Sequence, residues 1–186
     1  MPFTVIYDAC VLYPFHLRDL LIRVAQAGLV HARWSEAILR EWYDALVEDR
    51  PELAVRLVRT KMLMNDAIRD VLIEDYEALI PGLDLPDPND RHVLAAAIKS
   101  GAQVIVTHNL RDFPPAAIER YGIEAQHPDA FVLNLIDLNA SAVAEAIVAM
   151  ELDLASRPGI PYVLAALERA DLKDSVEVLK SLFEEK

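Results

Sequence analysis

The chain has 186 residues, 54% hydrophobic and 26% charged, which is enough for one ordinary domain with a real core and excludes a disordered composition. A single cysteine, Cys10, excludes an internal disulfide, and the start MPFTVIYDAC lacks both the basic region and the apolar stretch of a signal peptide, so a reducing cytoplasm is expected. The formal charge of −12 argues against tight, non-specific nucleic-acid binding, which needs Lys and Arg to displace counterions.

That charge is spread along the chain. Residues 1–128 carry 13 basic and 19 acidic side chains (net −6), and residues 129–186 carry 5 and 11 (net −6). One island runs the other way: Arg50, Arg56, Arg59, Lys61 and Arg69. It reads either as a solvated helix face or as an edge facing a polyanion or a partner. Mean hydropathy is +0.20, but Arg23, Asp137, Asn139 and Glu145 break the most apolar stretches. None reaches the roughly 18 uninterrupted apolar residues of a membrane span, so no membrane association is expected.

In chain order, Phe3 to Tyr7 is a short apolar run ending at an aspartate and predicts a buried strand. Pro14 opens a helix that keeps its period through Leu17, Leu20, Leu21 and Val24 to Gly28. Ser35 is an N-cap candidate before Ile38, Leu39 and Trp42. A further helix is expected from Pro51 to about Ile68, and a short one over Asp75–Ile80, stopping before Pro81-Gly82. LPDPND leads into the helix RHVLAAAIKSG, with Asp87 at the N-cap, Pro88 at N1 and Asp90 at N3, where it could complete a capping box. Gln103–Thr107 (QVIVT) is again a buried strand; a turn, Asp112-Phe113-Pro114, a helix to about Tyr121 and a last strand at Ile123–Ala125 follow.

From about Pro128 the pattern is helical only. Ser141 is a cap candidate for a helix through Met150, Arg157–Pro161 is a break, and Lys173–Phe183 is a final amphipathic helix. Trp34, Trp42 and Tyr43 read as core, and Cys10 as a small buried residue. Strands that are continuously apolar and alternate with helices predict an α/β fold with a central parallel sheet covered on both faces. Residues 1–128 then form the α/β domain and 129–186 a helical carboxyl-terminal extension.

In such sheets the site lies at the carboxyl ends of the strands. Asp8 directly follows the first strand and Asp112 lies past the end of the QVIVT strand, while Glu41 and Asp90 sit on helices. Each has a structural explanation alone: Asp90 beside a helix N-terminus, Asp112 before Pro114, Glu41 on an exposed face. Together they would repel in a partly buried place unless a divalent cation neutralised them. Hard oxygen ligands without Cys or His suit Mg²⁺ or Mn²⁺ rather than Zn²⁺.

The segments VIYDACVLYP, SEAILREW, DPNDRHVLAAAI and VIVTHNLRDFP, in this order over about residues 3–125, resemble the PIN-domain ribonucleases, in particular the VapC-type toxins of toxin–antitoxin pairs. The resemblance implies a three-layer α/β/α fold and Mg²⁺- or Mn²⁺-dependent endonucleolytic cleavage of RNA. It places the family's acids on Asp8, Glu41, Asp90 and Asp112, with Thr107 and Asn109 in the strand-end loop. Asp8, Asp90 and Asp112 would hold the metal, Glu41 would hold a water, and Asp87 is first a cap and second a ligand. Arg91 and Arg111 would contact substrate phosphate or screen the acids; His92 and His108 read as surface or hydrogen-bonding residues ahead of a metal or general-base role. A small antitoxin with a basic tail and a homodimer are implied as partners. Two rivals remain: a catalytically degenerate PIN domain acting as a binding module, and a phosphatase. A phosphatase forming a phospho-aspartate would place a second Asp two residues after Asp8, where Cys10 stands.

Overall fold

Val5, Ile6 and Tyr7 have no solvent exposure, as a strand covered on both faces requires. In the computed structural model, which describes residues 3–184, they form the middle of a five-stranded, all-parallel sheet. The strands are β1 (Thr4–Tyr7), β2 (His31–Ser35), β3 (Leu72–Ile73), β4 (Val104–Val106) and β5 (Glu124–Gln126), in the order β3-β2-β1-β4-β5. The register pairs Ile6 with Arg33 on one side and with Ile105 on the other. The order reverses between β1 and β4, and that switch point opens a crevice at the strands' carboxyl ends.

The helices are α1 (Ala9–Leu12), α2 (Phe15–Gln26), α3 (Glu36–Asp49), α4 (Ala54–Ala67), α5 (Arg91–Ser100), α6 (Pro115–Ile118), α7 (Pro128–Asp153), α8 (Ile160–Arg169) and α9 (Lys173–Glu184). They flank the sheet in a three-layer α/β/α arrangement, the expected fold class. Tyr7 points toward α2 and α7: its hydroxyl donates to the Leu21 carbonyl (3.2 Å), and its ring meets Phe131 edge-on with centroids 6.0 Å apart. Helix α5 packs on β1, β2, β3 and β4, and its consecutive Ala95, Ala96 and Ala97 are all fully buried, so it is covered on more than one side. It ends at Gly101, whose φ of 65° is the left-handed cap conformation that glycine adopts without strain.

The chain turns sharply after β1. Buried Arg18 holds that corner by donating to the Leu12 and Tyr13 carbonyls (2.7 and 3.3 Å), with its guanidinium 5.3 Å from the Trp42 ring. Trp34 and Trp42 are fully buried and Tyr43 packs partly buried against the core, as expected.

Several elements depart from the sequence reading. Strands β2 and β3 carry no clear apolar run: β2 reads HARWS, and β3 is two residues long. The helix expected to stop before Pro81-Gly82 is a 3-10 turn over Glu77–Gly82 that includes both. The capping box at Asp90 does not form; Asp87 caps a 3-10 turn (Pro88–Asp90) by accepting from the Asn89 amide at 2.8 Å, and α5 starts only at Arg91. Ser141 is not the cap: α7 consists of two helical segments joined at Asn139, whose non-helical backbone (φ −160°, ψ 83°) and side chain, accepting from the Ala142 amide, make it the N-cap of the second, two residues before the expected one. Helix α8 follows the break at Arg157–Pro161. Among the described residues α7 alone is long and apolar enough to cross a membrane, but it buries Phe131, Leu135, Val143 and Ile147 in the protein core.

Candidate metal centre

Asp8 leaves the end of β1 with only 6% of its surface exposed. Its amide donates to the Val106 carbonyl (3.1 Å), which ties it to the end of β4. Its carboxylate is held at both oxygens: Oδ1 accepts from the Ala9 amide (2.7 Å), and Oδ2 accepts from the Thr107 hydroxyl (2.7 Å) and the Cys10 thiol (3.3 Å). Burial pushes the Asp8 carboxyl up from the ordinary carboxylate range, the hydrogen bonds from Thr107, Cys10 and Ala9 pull it back, and the charge of Glu41 adds to the rise.

Asp90 stands at the junction of the 3-10 turn and α5. Its carboxyl is pushed up to about 6, first by burial, then by the charges of Asp8, Asp112, Asp87 and Glu41. Side chains from β1, α3, the α5 entrance and the turn after β4 therefore meet within electrostatic reach at the switch-point crevice. Asp112, partly buried, ends the 3-10 turn Leu110–Asp112, which follows β4 after the loop Thr107–Asn109. Glu41 arrives on α3 with 48% of its side chain exposed, and His92, on the first turn of α5 with 13% exposed, holds it through a 2.7 Å contact from Nε2 to Oε1. The other ring nitrogen of His92 is buried without a partner.

Thr107, fully buried, both donates to Asp8 and accepts from the Asn109 amide (3.0 Å). The Asn109 side chain is exposed and the structure gives it no bond to the acids. Arg91 pairs with Asp84 (3.5 Å), whereas Arg111 is exposed beside Asp112.

Cys10 has a role at the site that the sequence reading missed, and His92 fills the hydrogen-bonding role read for it. Cys10 is only partly buried and belongs to the Asp8 network: its sulfur also lies 3.4 Å from the Thr107 hydroxyl and accepts from the His108 amide (3.3 Å). Burial, reinforced by the Asp8 charge, pushes its thiol up to about 12, so it is a neutral donor rather than a thiolate. His92 is the partner of Glu41. The spacing D-A-C after the strand was a signal for Cys10, since a side chain two residues past an N-cap aspartate returns to it; for His92 the sequence marked the residue beside Asp90 but not Glu41 as its partner.

The donor set fits a hard divalent cation. Clustered carboxylates hold one another's protons on, and a cation would relieve that repulsion. Among the described residues, no three of these carboxylates bring their oxygens within 4.8 Å of one another. A tighter group does exist nearby, His108, His127 and Asp171. There the Asp129 amide donates to His127 Nδ1 (3.2 Å), so the neutral ring carries its proton on Nε2, the nitrogen a metal would need. A groove of about 600 Å³ lies at the opposite, amino-terminal ends of β1 and β2 and contains none of the candidate acids.

The sheet order, the acids at its switch point and a match of residues 4–111 to the PIN domain model define the class: the chain belongs to the PIN-domain family. Residues 128–181 match a second family model, the VapC50 C-terminal domain. The chain is 45% identical over 75 residues to a protein of Mycobacterium tuberculosis (strain ATCC 25618 / H37Rv) named "Putative ribonuclease VapC50". The aligned stretch covers 40% of this chain and 44% of that relative's length. No solved structure matches the chain.

Proposed function

We propose that this protein is a divalent-metal-dependent endoribonuclease, the toxin of a VapBC-like toxin–antitoxin pair. The observation that carries the reading is the Asp90 carboxyl, raised to about 6 in a crevice where Asp8, Asp112, Asp87 and Glu41 converge. The PIN-domain membership and the named relative support it. Asp8, Asp90 and Asp112 would hold Mg²⁺ or Mn²⁺, with Glu41 beside them. Bound there, the cation supplies acidification of water and neutralisation of charge on the scissile phosphate.

The protein's own groups do the rest. Thr107, Cys10 and the Ala9 amide fix Asp8 in one orientation and favour its ionised form. His92 keeps Glu41 from turning into solvent, so its carboxylate can accept a proton from water at the crevice. Arg111 offers an unburied cation for a substrate phosphate. Asp87 keeps its cap role, and Asn109 serves the loop by its backbone.

Residues 129–186 are read as a helical extension of a nuclease domain at 1–128. A small antitoxin with a basic tail would suit the net charge of −12; a homodimer and a cytoplasmic location away from membranes complete the reading. Asp8→Asn, which keeps shape and removes charge, is expected to abolish Mn²⁺-dependent RNA cleavage while leaving the thermal midpoint at or above wild type. Full activity in that variant would sink the assignment. The net charge favours one alternative, a non-catalytic binding module, and cleavage assays with and without EDTA decide between them.

A further inference from the structure

The turn after β4 carries Thr107, His108 and Asn109, and so positions Asp8 and leads to Asp112. It is held from behind by the segment that opens α7. Thr107 donates its amide to the Gln126 carbonyl (2.9 Å). The next residue, His127, is the N-cap of α7: its Nδ1 accepts from the Asp129 amide at 3.2 Å. That bond fixes the neutral ring as the Nε2–H tautomer. His108 Nδ1 lies 3.2 Å from this Nε2 and accepts its proton, the two rings meeting edge to face at 73°.

A carboxylate from far along the chain lies beside the same nitrogen, whose one proton is given to His108, so that the contact is electrostatic and not a hydrogen bond. Asp171, in the turn between α8 and α9, places Oδ2 3.4 Å from His127 Nε2 and Oδ1 3.3 Å from Lys173 Nζ. Its φ of 70° is a conformation that a residue with a Cβ adopts at a cost. The path then returns to the acids: the His108 amide donates to Cys10 Sγ (3.3 Å), and Cys10 donates to Asp8 Oδ2 (3.3 Å).

We infer that His127 is a positioning residue for the active-site turn, oriented by Asp171, so that the helices after residue 128 form part of the support of the catalytic site. The inference rests on the nuclease reading for its kinetic consequence and on geometry alone for its structural one. His127 acts through His108, and Asp171 by way of His127.

His127→Asn keeps an N-cap oxygen for the Asp129 amide but is too short to reach His108. Asp171→Gly removes the carboxylate and relieves the backbone conformation at once, and Lys173→Gln removes only the neighbouring ion pair. The full-length variants are compared for thermal midpoint, Mn²⁺ affinity by calorimetry, kcat and KM of RNA cleavage, and hydrogen exchange at the His108 and Asn109 amides. His127→Asn and Asp171→Gly should each retain the wild-type midpoint, lower kcat at least about threefold with KM unchanged, since a small misplacement remote from the chemistry is felt in the transition state, and speed exchange at the two amides to a similar degree. Lys173→Gln should match wild type throughout. Wild-type kcat and exchange in both variants would overturn the inference, as would an equal loss in Lys173→Gln for the part assigned to Asp171. If the wild-type chain cleaves no RNA under any divalent cation, the nuclease reading fails, and amide exchange with Mn²⁺ affinity still decides whether His127 holds the turn.

Discussion

The Thr107 hydroxyl donates to Asp8 Oδ2 at 2.7 Å, joining two buried groups 99 residues apart across adjacent strands β1 and β4. This bond opposes the burial that raises the Asp8 carboxyl. Thr107→Val keeps the side-chain shape and deletes the donor. It should destabilise the protein by about 1–3 kcal/mol at neutral pH, the usual cost of leaving a buried acceptor without its partner. Mn²⁺ affinity should fall with it, because a carboxyl that holds its proton more tightly competes with the metal. Thr107→Ser restores the donor and should recover most of both. Urea denaturation and calorimetric titration of the pair check this, and equal stability of the Val and Ser variants would refute it.

Asp90 supplies a pH prediction whose sign is fixed by its surroundings. Its carboxyl is raised from 3.8 to about 6 in the folded protein. A folded value above the unfolded one means that the protonated carboxyl favours folding: this contribution is complete below about pH 4 and is lost as pH rises through 6. Without metal, Asp90→Asn should therefore match wild type near pH 4 and become progressively more stable than it up to about pH 6–7. Added Mn²⁺ should reverse the order at pH 7 by stabilising wild type alone. Thermal midpoints measured from pH 4 to 8 with EDTA or Mn²⁺ give the two curves, and a stability difference that shrinks toward neutral pH would show the reasoning to be wrong.

The contact of His92 with Glu41 predicts how a half-exposed carboxylate stays at the crevice. With repelling acids on one side and water on the other, Glu41 needs a donor to keep it inward, and His92 is held by burial in the orientation that supplies one. His92→Ala should raise the Mn²⁺ concentration needed for half-maximal cleavage and reduce activity about tenfold, the scale seen when a group orienting a metal-site residue is removed. His92→Gln retains an amide donor and should recover part of the loss. Unchanged Mn²⁺ dependence in His92→Ala would show that Glu41 needs no such partner.

Strands β1 and β4 were legible because burial on both faces demands unbroken apolar residues, and VIY and VIV supply them. The same physics hid β2 and β3. Arg33 of β2 sits under the end of β3 and donates to the Leu72 carbonyl (3.2 Å), so partial cover tolerates charge in a strand that packs Trp34 inward. The acids were legible by their places at strand and helix ends. What held them was not, because the His92–Glu41 and Thr107–Asp8 contacts join residues brought together only by the topology. The second segment of α7 was legible two residues off, because Asn139 and Ser141 are both good cap residues and only the backbone turn at Asn139, whose side chain accepts from the Ala142 amide, decides between them.

Asp129 carries a stability prediction for the carboxyl-terminal helices. It lies in the first turn of α7, yet its carboxylate caps a different helix: Oδ2 accepts from the Asp174 amide (2.9 Å) and Oδ1 from the Ser175 amide (2.8 Å), both in the first turn of α9. The Ser175 hydroxyl completes the joint by donating to the Asp129 carbonyl (2.9 Å). Two otherwise orphaned amides are thus satisfied by an anion at the positive end of the α9 dipole. Asp129→Ala should cost about 1–2 kcal/mol, the range for losing a strong N-cap, and Asp129→Asn less, since its amide oxygen still accepts one bond. The loss should appear first as faster hydrogen exchange in α9 (Lys173–Glu184), with β1 and β4 protected as in wild type. A uniform loss of protection across the sheet instead would mean that α9 unfolds only together with the whole protein.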